Sequence, residues 1–208
     1  MEKPIHFNSP DDREELARAE IYGLLSQLFY EPPSEDLYAQ LQVAPTVAPA
    51  PGAFLEARWG ELVATSRRLG RAQVQEEYDA LFVSIGKPEV FLYGSHHIAG
   101  ALNEKPLVAL RDSLRRLGLE RAQTMAETED HIAYLFEVMR FLIAGDDAGV
   151  SNLAVQQSFF DAHLRPWTEA MFEQIAAHPR ADFYRSLSVF ARDFMAVESQ
   201  GFDLLETP

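Results

Sequence analysis

The chain has 208 residues, 47% of them hydrophobic and 14 of them phenylalanine, enough apolar material for a sizeable core and too much for a disordered chain. Lys and Arg total 18 against 32 Asp and Glu, and the net charge of −14 disfavours nucleic acid and anionic membrane surfaces while favouring basic partners. The absence of cysteine excludes disulfides, zinc–thiolate sites and a thiol nucleophile.

Ser9-Pro10-Asp11-Asp12 reads as a helix start, because proline is tolerated in a first turn and the acids suit the positive end of the helix dipole. Leu16, Ile21, Leu24, Leu25, Leu28 and Phe29 then recur at helical spacing up to Pro32-Pro33. A short helix is expected over Glu35–Gln42. Val43–Gly52 (VAPTVAPAPG) is a Pro/Ala-rich connector and not a domain boundary, since too little chain precedes it to form a core. Helical pattern returns over Phe54–Leu69 and again over Ala72–Val83, with Val74, Tyr78, Leu81 and Phe82 on one side. Residues 84–104 carry glycines and prolines without helical period and are read as one long functional loop, in which EVFLYG is the one β-like run. Lys105–Leu117 is expected to be helical and to stop at Gly118.

The next segment, AETEDHIAYLFEVMRFLIAG (Ala126–Gly145), opens with three acids and a histidine and then turns apolar. Ile132, Leu135, Phe136, Met139, Leu142 and Ile143 form a stripe that predicts a buried helix of about four turns. Thr124-Met125-Ala126-Glu127 fits a capping box, and a start nearer Thr128 is the alternative. Either start puts Glu127, Glu129 and Asp130 in the first turn, where the dipole stabilises them without any function. His131 gains less there, since the positive end of the dipole favours a neutral imidazole. Helices are then expected over Asn152–Leu164 and Pro166–Ala177, with Phe159, Phe160 and Trp167 in the core and His163 a satisfied polar group. A last helix over Asp182–Glu198 has Phe183, Leu187, Phe190, Phe194 and Val197 in one row. The expected fold is all-α, a single-domain bundle of seven or eight helices over residues 1–208. No run reaches the roughly 18 apolar residues of a membrane span, and the start lacks a secretory signal, so a cytoplasmic protein without stable membrane insertion is expected.

Three chemistries compete for the acid–histidine cluster. Glu127, Asp130, His131 and distant His163 are donors for a metal-dependent enzyme, but the Glu-x-x-His spacing of di-iron bundles is absent and has no second copy. Ser95 lies beside His96, yet without G-x-S-x-G or a strand–turn–helix a hydrolase is disfavoured. A structural helical adaptor would bury Tyr78 and Asp130 against the core with no open cleft between them.

Four segments in order resemble the TorD/DmsD family of maturation chaperones for molybdenum-cofactor oxidoreductases. Tyr78-Asp79-Ala80-Leu81-Phe82 matches an aromatic, two spacers and Leu-Phe. Glu127-Thr128-Glu129-Asp130-His131 is similar to Glu-Pro-x-Asp-His with threonine for proline. LYGSHH and QQSFFDAHLRPW resemble the family's loop and helix junction. The resemblance, over roughly Ile21 to Phe194, implies a non-enzymatic protein without cofactor. Its partners would be the catalytic subunit of a molybdoenzyme and that subunit's twin-arginine leader, held until the cofactor is loaded and Tat export can follow. It assigns the signal-peptide groove to Tyr78, Leu81, Phe82, Tyr93, Ser95, Asp130 and His131, with Glu127 in support. Carboxylates would take the guanidiniums, Tyr78, Phe82 and Tyr93 the apolar stretch, and His131, titrating near neutrality, would tune release. Related proteins exchange helices, so the expected state is a monomer or a domain-swapped dimer.

Overall fold

The computed structural model describes residues 10–46, 55–83, 87–122 and 126–205, and ten α-helices lie within them. They are α1 (Pro10–Tyr30), α2 (Glu35–Val43), α3 (Glu56–Arg68), α4 (Arg71–Tyr78), α5 (Gly94–Ala99), α6 (Lys105–Arg116), α7 (Ile132–Ala144), α8 (Leu153–His163), α9 (Thr168–Ala177) and α10 (Phe183–Leu205). A π-helical turn over Asp79–Val83 continues α4. The all-α expectation holds, and the number of helices exceeds the seven or eight expected. One of the additional helices, α5, lies inside the segment read as a loop. Six residues are too short to show a period, and Gly100, left-handed at φ 78°, ends them. The β-like run supplies one isolated antiparallel bridge, Tyr93 to His131.

The helices form because each places an apolar face on a shared core. α1 and α7 lie side by side, and α10 packs on α9 and α3. Every residue of the stripe from Ile132 to Ile143 is buried. Aromatic rings from four helices interlock around Phe29, which contacts Phe172 at 5.8 Å, Tyr184 at 6.2 Å and Phe136 at 6.4 Å between centroids. Each such ring contributes roughly 1.5–3 kcal/mol by burial. Arg18 forks onto Glu198 at 2.7 and 2.8 Å, and Tyr22 donates to the same carboxylate, which fastens α1 to α10.

Three expectations need correction. α7 begins at Ile132, several residues after the predicted start. α9 begins at Thr168, because Pro166 falls in the turn between α8 and α9. Val197, last in the predicted row on α10, is 38% exposed on the rim of a groove against α1. Phe159, Phe160 and Trp167 are core residues as expected. Ser9, Thr124, Met125 and most of the connector Val43–Gly52 lie outside the described residues, as do residues 84–86 of the long loop.

Candidate functional site

Ala126–Asp130 is not helical, so Glu127, Glu129 and Asp130 precede α7 and do not occupy its first turn. The backbone bonds that a helix would have made run sideways instead. Gly94 N–H donates to the Asp130 carbonyl at 2.9 Å, and Ile132 N–H donates to the Leu92 carbonyl at 2.8 Å. This pairing holds Asp130–Ile132 against Leu92–Gly94. The N-cap of α7 is His131, whose Nδ1 accepts the Ala133 N–H at 3.3 Å. An imidazole can take that place only with Nδ1 unprotonated.

Asp130 is 3% exposed. Its Oδ2 accepts the Ser95 N–H at 2.8 Å, and its Oδ1 accepts the Thr128 hydroxyl at 2.6 Å. One buried carboxylate therefore caps the start of α5 from a distant part of the chain and closes its own turn. Ser95 is fully buried, and its Oγ has no partner among the described residues. Gly94 lies so close to Trp167 that a Cβ would stand 3.2 Å from the indole nitrogen, which is why glycine suits this joint.

On the other side of the bridge His131 sits among tyrosines, with ring centroids 5.0 Å from Tyr93, 5.8 Å from Tyr134 and 6.3 Å from Tyr30. Burial pushes its pKa down to about 4, against an opposing pull from Asp130. His131 is thus neutral throughout the physiological range, which overturns the expectation that it titrates near neutrality. The Tyr93 hydroxyl donates to Glu127, and burial followed by that bond raises the Tyr93 pKa. Burial, then the Tyr30 hydroxyl, raises Tyr134 to about 12. Glu127 is half-buried, and Arg121 donates to its backbone carbonyl at 2.9 Å. Glu129 is ion-paired to Arg111 at 2.8 Å. Partial burial pushes the Glu129 carboxyl up, but the Arg111 bond outweighs it and the pKa lies below the ordinary value.

The Tyr78–Phe82 segment reaches the same neighbourhood from α4. The Tyr78 hydroxyl donates to the Tyr30 carbonyl at 2.6 Å, and the Leu81 carbonyl accepts from Val90 N–H at 3.1 Å. The wide π turn carries these residues out of the regular helical register. Tyr78 is 6% exposed and Leu81 fully buried, whereas Phe82 is half-buried, edge-on to Tyr78 and Tyr184 at 5.1 Å each. Burial raises the Tyr78 pKa. Tyr78 and Asp130 are thus both buried, as the adaptor reading required. The half-exposed members of the predicted set are Phe82, Tyr93 and Glu127. Sequence reading missed Thr128, Tyr30, Tyr134 and Trp167. Thr128 and Trp167 lie inside the quoted motifs, and Tyr134 stands three residues beyond His131 and so on the same side of a helix, whereas Tyr30 carried no local signal.

The metal-dependent alternative finds no support in this geometry. His163 is engaged by another partner, its Nε2 2.9 Å from the Ser113 hydroxyl, and burial followed by Arg116 lowers its pKa to about 4. Among the described residues no group of three His, Asp or Glu is placed to share a metal ion. His96 stacks on Phe91 and His97 on Trp167, so both rings serve packing. No described helix is long and apolar enough to cross a membrane.

The chain is similar to known proteins along most of its length. It is 28% identical to chaperone protein TorD of Vibrio cholerae serotype O1 over 204 residues, covering 90% of this chain and 93% of the relative. Against chaperone protein TorD of Vibrio atlanticus the identity is 26%, covering 88% and 93%. A solved structure assigned as a redox enzyme maturation protein from Archaeoglobus fulgidus has the same fold, with a TM-score of 0.58 at 19% identity over 95% of this chain and 99% of that one. The profile of the family described as nitrate reductase delta subunit matches residues 49–173, more than half of the chain. The motifs, the helical fold and this match together make the chain a member of the nitrate reductase delta subunit family, the family of the TorD-like redox enzyme maturation proteins.

Proposed function

We propose that this protein is a cytoplasmic chaperone that binds the twin-arginine signal peptide and the apo form of a molybdenum-cofactor oxidoreductase. It would assist cofactor insertion and delay Tat export until maturation is complete. The observation that carries the reading is the convergence of three separated motifs on one joint. The Tyr93–His131 bridge brings the loop to the acidic segment, and Tyr78 is tied to the same place through Tyr30, whose ring faces His131. Relatives named TorD chaperones support the general role.

The residues divide the work by accessibility. Glu127 is the carboxylate best placed for a leader guanidinium, since it is half-exposed and a carboxylate bonded to Tyr93 through one oxygen can accept a charge-assisted bond at the other. Phe82 and Tyr93 offer apolar edges. Tyr78, Leu81, Ser95, Asp130 and His131 are buried and build the joint beneath these side chains. The net charge of −14 speeds the encounter with a basic peptide.

Calorimetric titration with the twin-arginine leaders of molybdoenzymes from the same genome tests this. The wild-type protein should bind at least one of them, and Glu127→Gln should weaken that affinity on the order of tenfold without loss of helicity. Failure of every such leader to bind the wild-type protein would sink the reading.

A further inference from the structure

On the side of the joint away from the tyrosines, a cleft of about 290 Å³ opens between α5, α6 and the α8–α9 turn. Ile98, Leu110, Leu135, Pro166 and Trp167 form its walls, and Ser95, Asp130 and His163 supply its polar positions. None of these three offers a free charge. The carboxylate of Asp130 is engaged by Ser95 N–H and the Thr128 hydroxyl. His163 is neutral at physiological pH and bonded to Ser113. What remains is the Ser95 hydroxyl, fully buried and without a partner among the described residues. Buried polar groups without partners are rare in folded proteins, and one at the wall of an open apolar cleft marks a place where a ligand group supplies the missing bond.

Resting on the chaperone reading above, we propose that this cleft receives one uncharged apolar side chain from the stretch that follows the leader's arginines, with a polar atom of the bound peptide partnering the Ser95 hydroxyl. The volume suits a single aliphatic or aromatic side chain and excludes a folded body. The cleft shares Asp130 with the joint that carries Glu127, so one extended peptide can place its arginines at the acidic segment and its apolar anchor here. Tyr78 and Leu81, by contrast, are already packed in the core and leave no room for an anchor.

Trp167 lines the cleft and Trp59 does not, and the chain has only 2 tryptophans. A Trp59→Phe variant therefore makes the indole of Trp167 a reporter of occupancy. Titrating this variant with a leader that binds the wild-type protein should shift or quench its emission. The same leader with its apolar stretch replaced by serine should bind on the order of tenfold more weakly and leave the emission unchanged. Ala109 and Ala162 are exposed at the rim, so Ala109→Phe with Ala162→Phe can fill the cleft from outside without entering the core. That double variant, checked for wild-type helicity, should lose affinity for the intact leader by a similar factor. Unchanged Trp167 emission on tight binding, together with wild-type affinity in the filled variant, overturns the cleft assignment while leaving the chaperone reading intact. If no leader binds the wild-type protein, both readings fall.

Discussion

Glu77 and Asp130 solve one problem in two parts of the molecule. Each is a buried carboxylate that caps the N-terminus of a helix far away in sequence. Glu77, on α4, accepts the N–H groups of Asp182, Phe183 and Tyr184 at 2.8, 3.0 and 2.8 Å and so starts α10. Asp130 accepts Ser95 N–H and starts α5. Around Glu77 the donors are backbone groups fixed in the core. Around Asp130 a neighbouring serine hydroxyl lacks a partner among the described residues, a cleft adjoins, and a half-exposed glutamate stands three residues away. The same device starts a helix in both places, and beside Asp130 it also adjoins the cleft proposed for recognition.

The largest effect should come from Glu77→Ala, which strands two buried backbone donors and a part-buried third. Chemical denaturation should show a loss of at least about 3 kcal/mol, with leader affinity of the folded protein unchanged. A large affinity loss there would erase the division between the two regions.

Next comes the acid limb of the stability profile. The unfolded His131 imidazole takes a proton near about 6.5, whereas the folded one does so only at about 4. Between these values the unfolded state binds more protons, so stability is full above the higher value and falls as pH drops through the window. The contribution is on the order of 3 kcal/mol. His131→Asn keeps a capping acceptor and should flatten this limb by about one proton in denaturation experiments from pH 4 to 7. An unchanged slope would show that His131 does not carry the effect. Leader affinity should be flat from pH 6.5 to 8, because the imidazole stays neutral there.

Asp130→Asn should cost less stability, about 1–2 kcal/mol, since an amide oxygen can still accept Ser95 N–H. It should nevertheless weaken leader binding more than Glu77→Ala does, and the reverse order would break the distinction between the two carboxylates. The smallest effect belongs to Arg111→Ala. Its pair with Glu129 lies at the surface, and its loss should change stability by less than about 1 kcal/mol. Because it frees a carboxylate beside the site, calorimetry should show leader affinity held or slightly raised.

The all-α fold, the buried stripe of α7 and the aromatic core around α10 were legible in the sequence, because apolar residues at helical spacing state which face is buried whatever they are buried against. The membership of Tyr93, Glu127, Asp130 and His131 in one neighbourhood was legible through motif order. What the local pattern misplaced was the start of α7. Acids before an apolar run satisfy a capping rule equally well inside or outside the helix, and only the cross-chain bonds to Leu92 and Gly94 decided the matter. The burial of Tyr78, the neutrality of His131, the role of Glu77 and the cleft beside Trp167 belonged to tertiary structure alone. Each depends on which distant groups remove water or supply a partner, and hydrophobic periodicity along a chain carries no record of either.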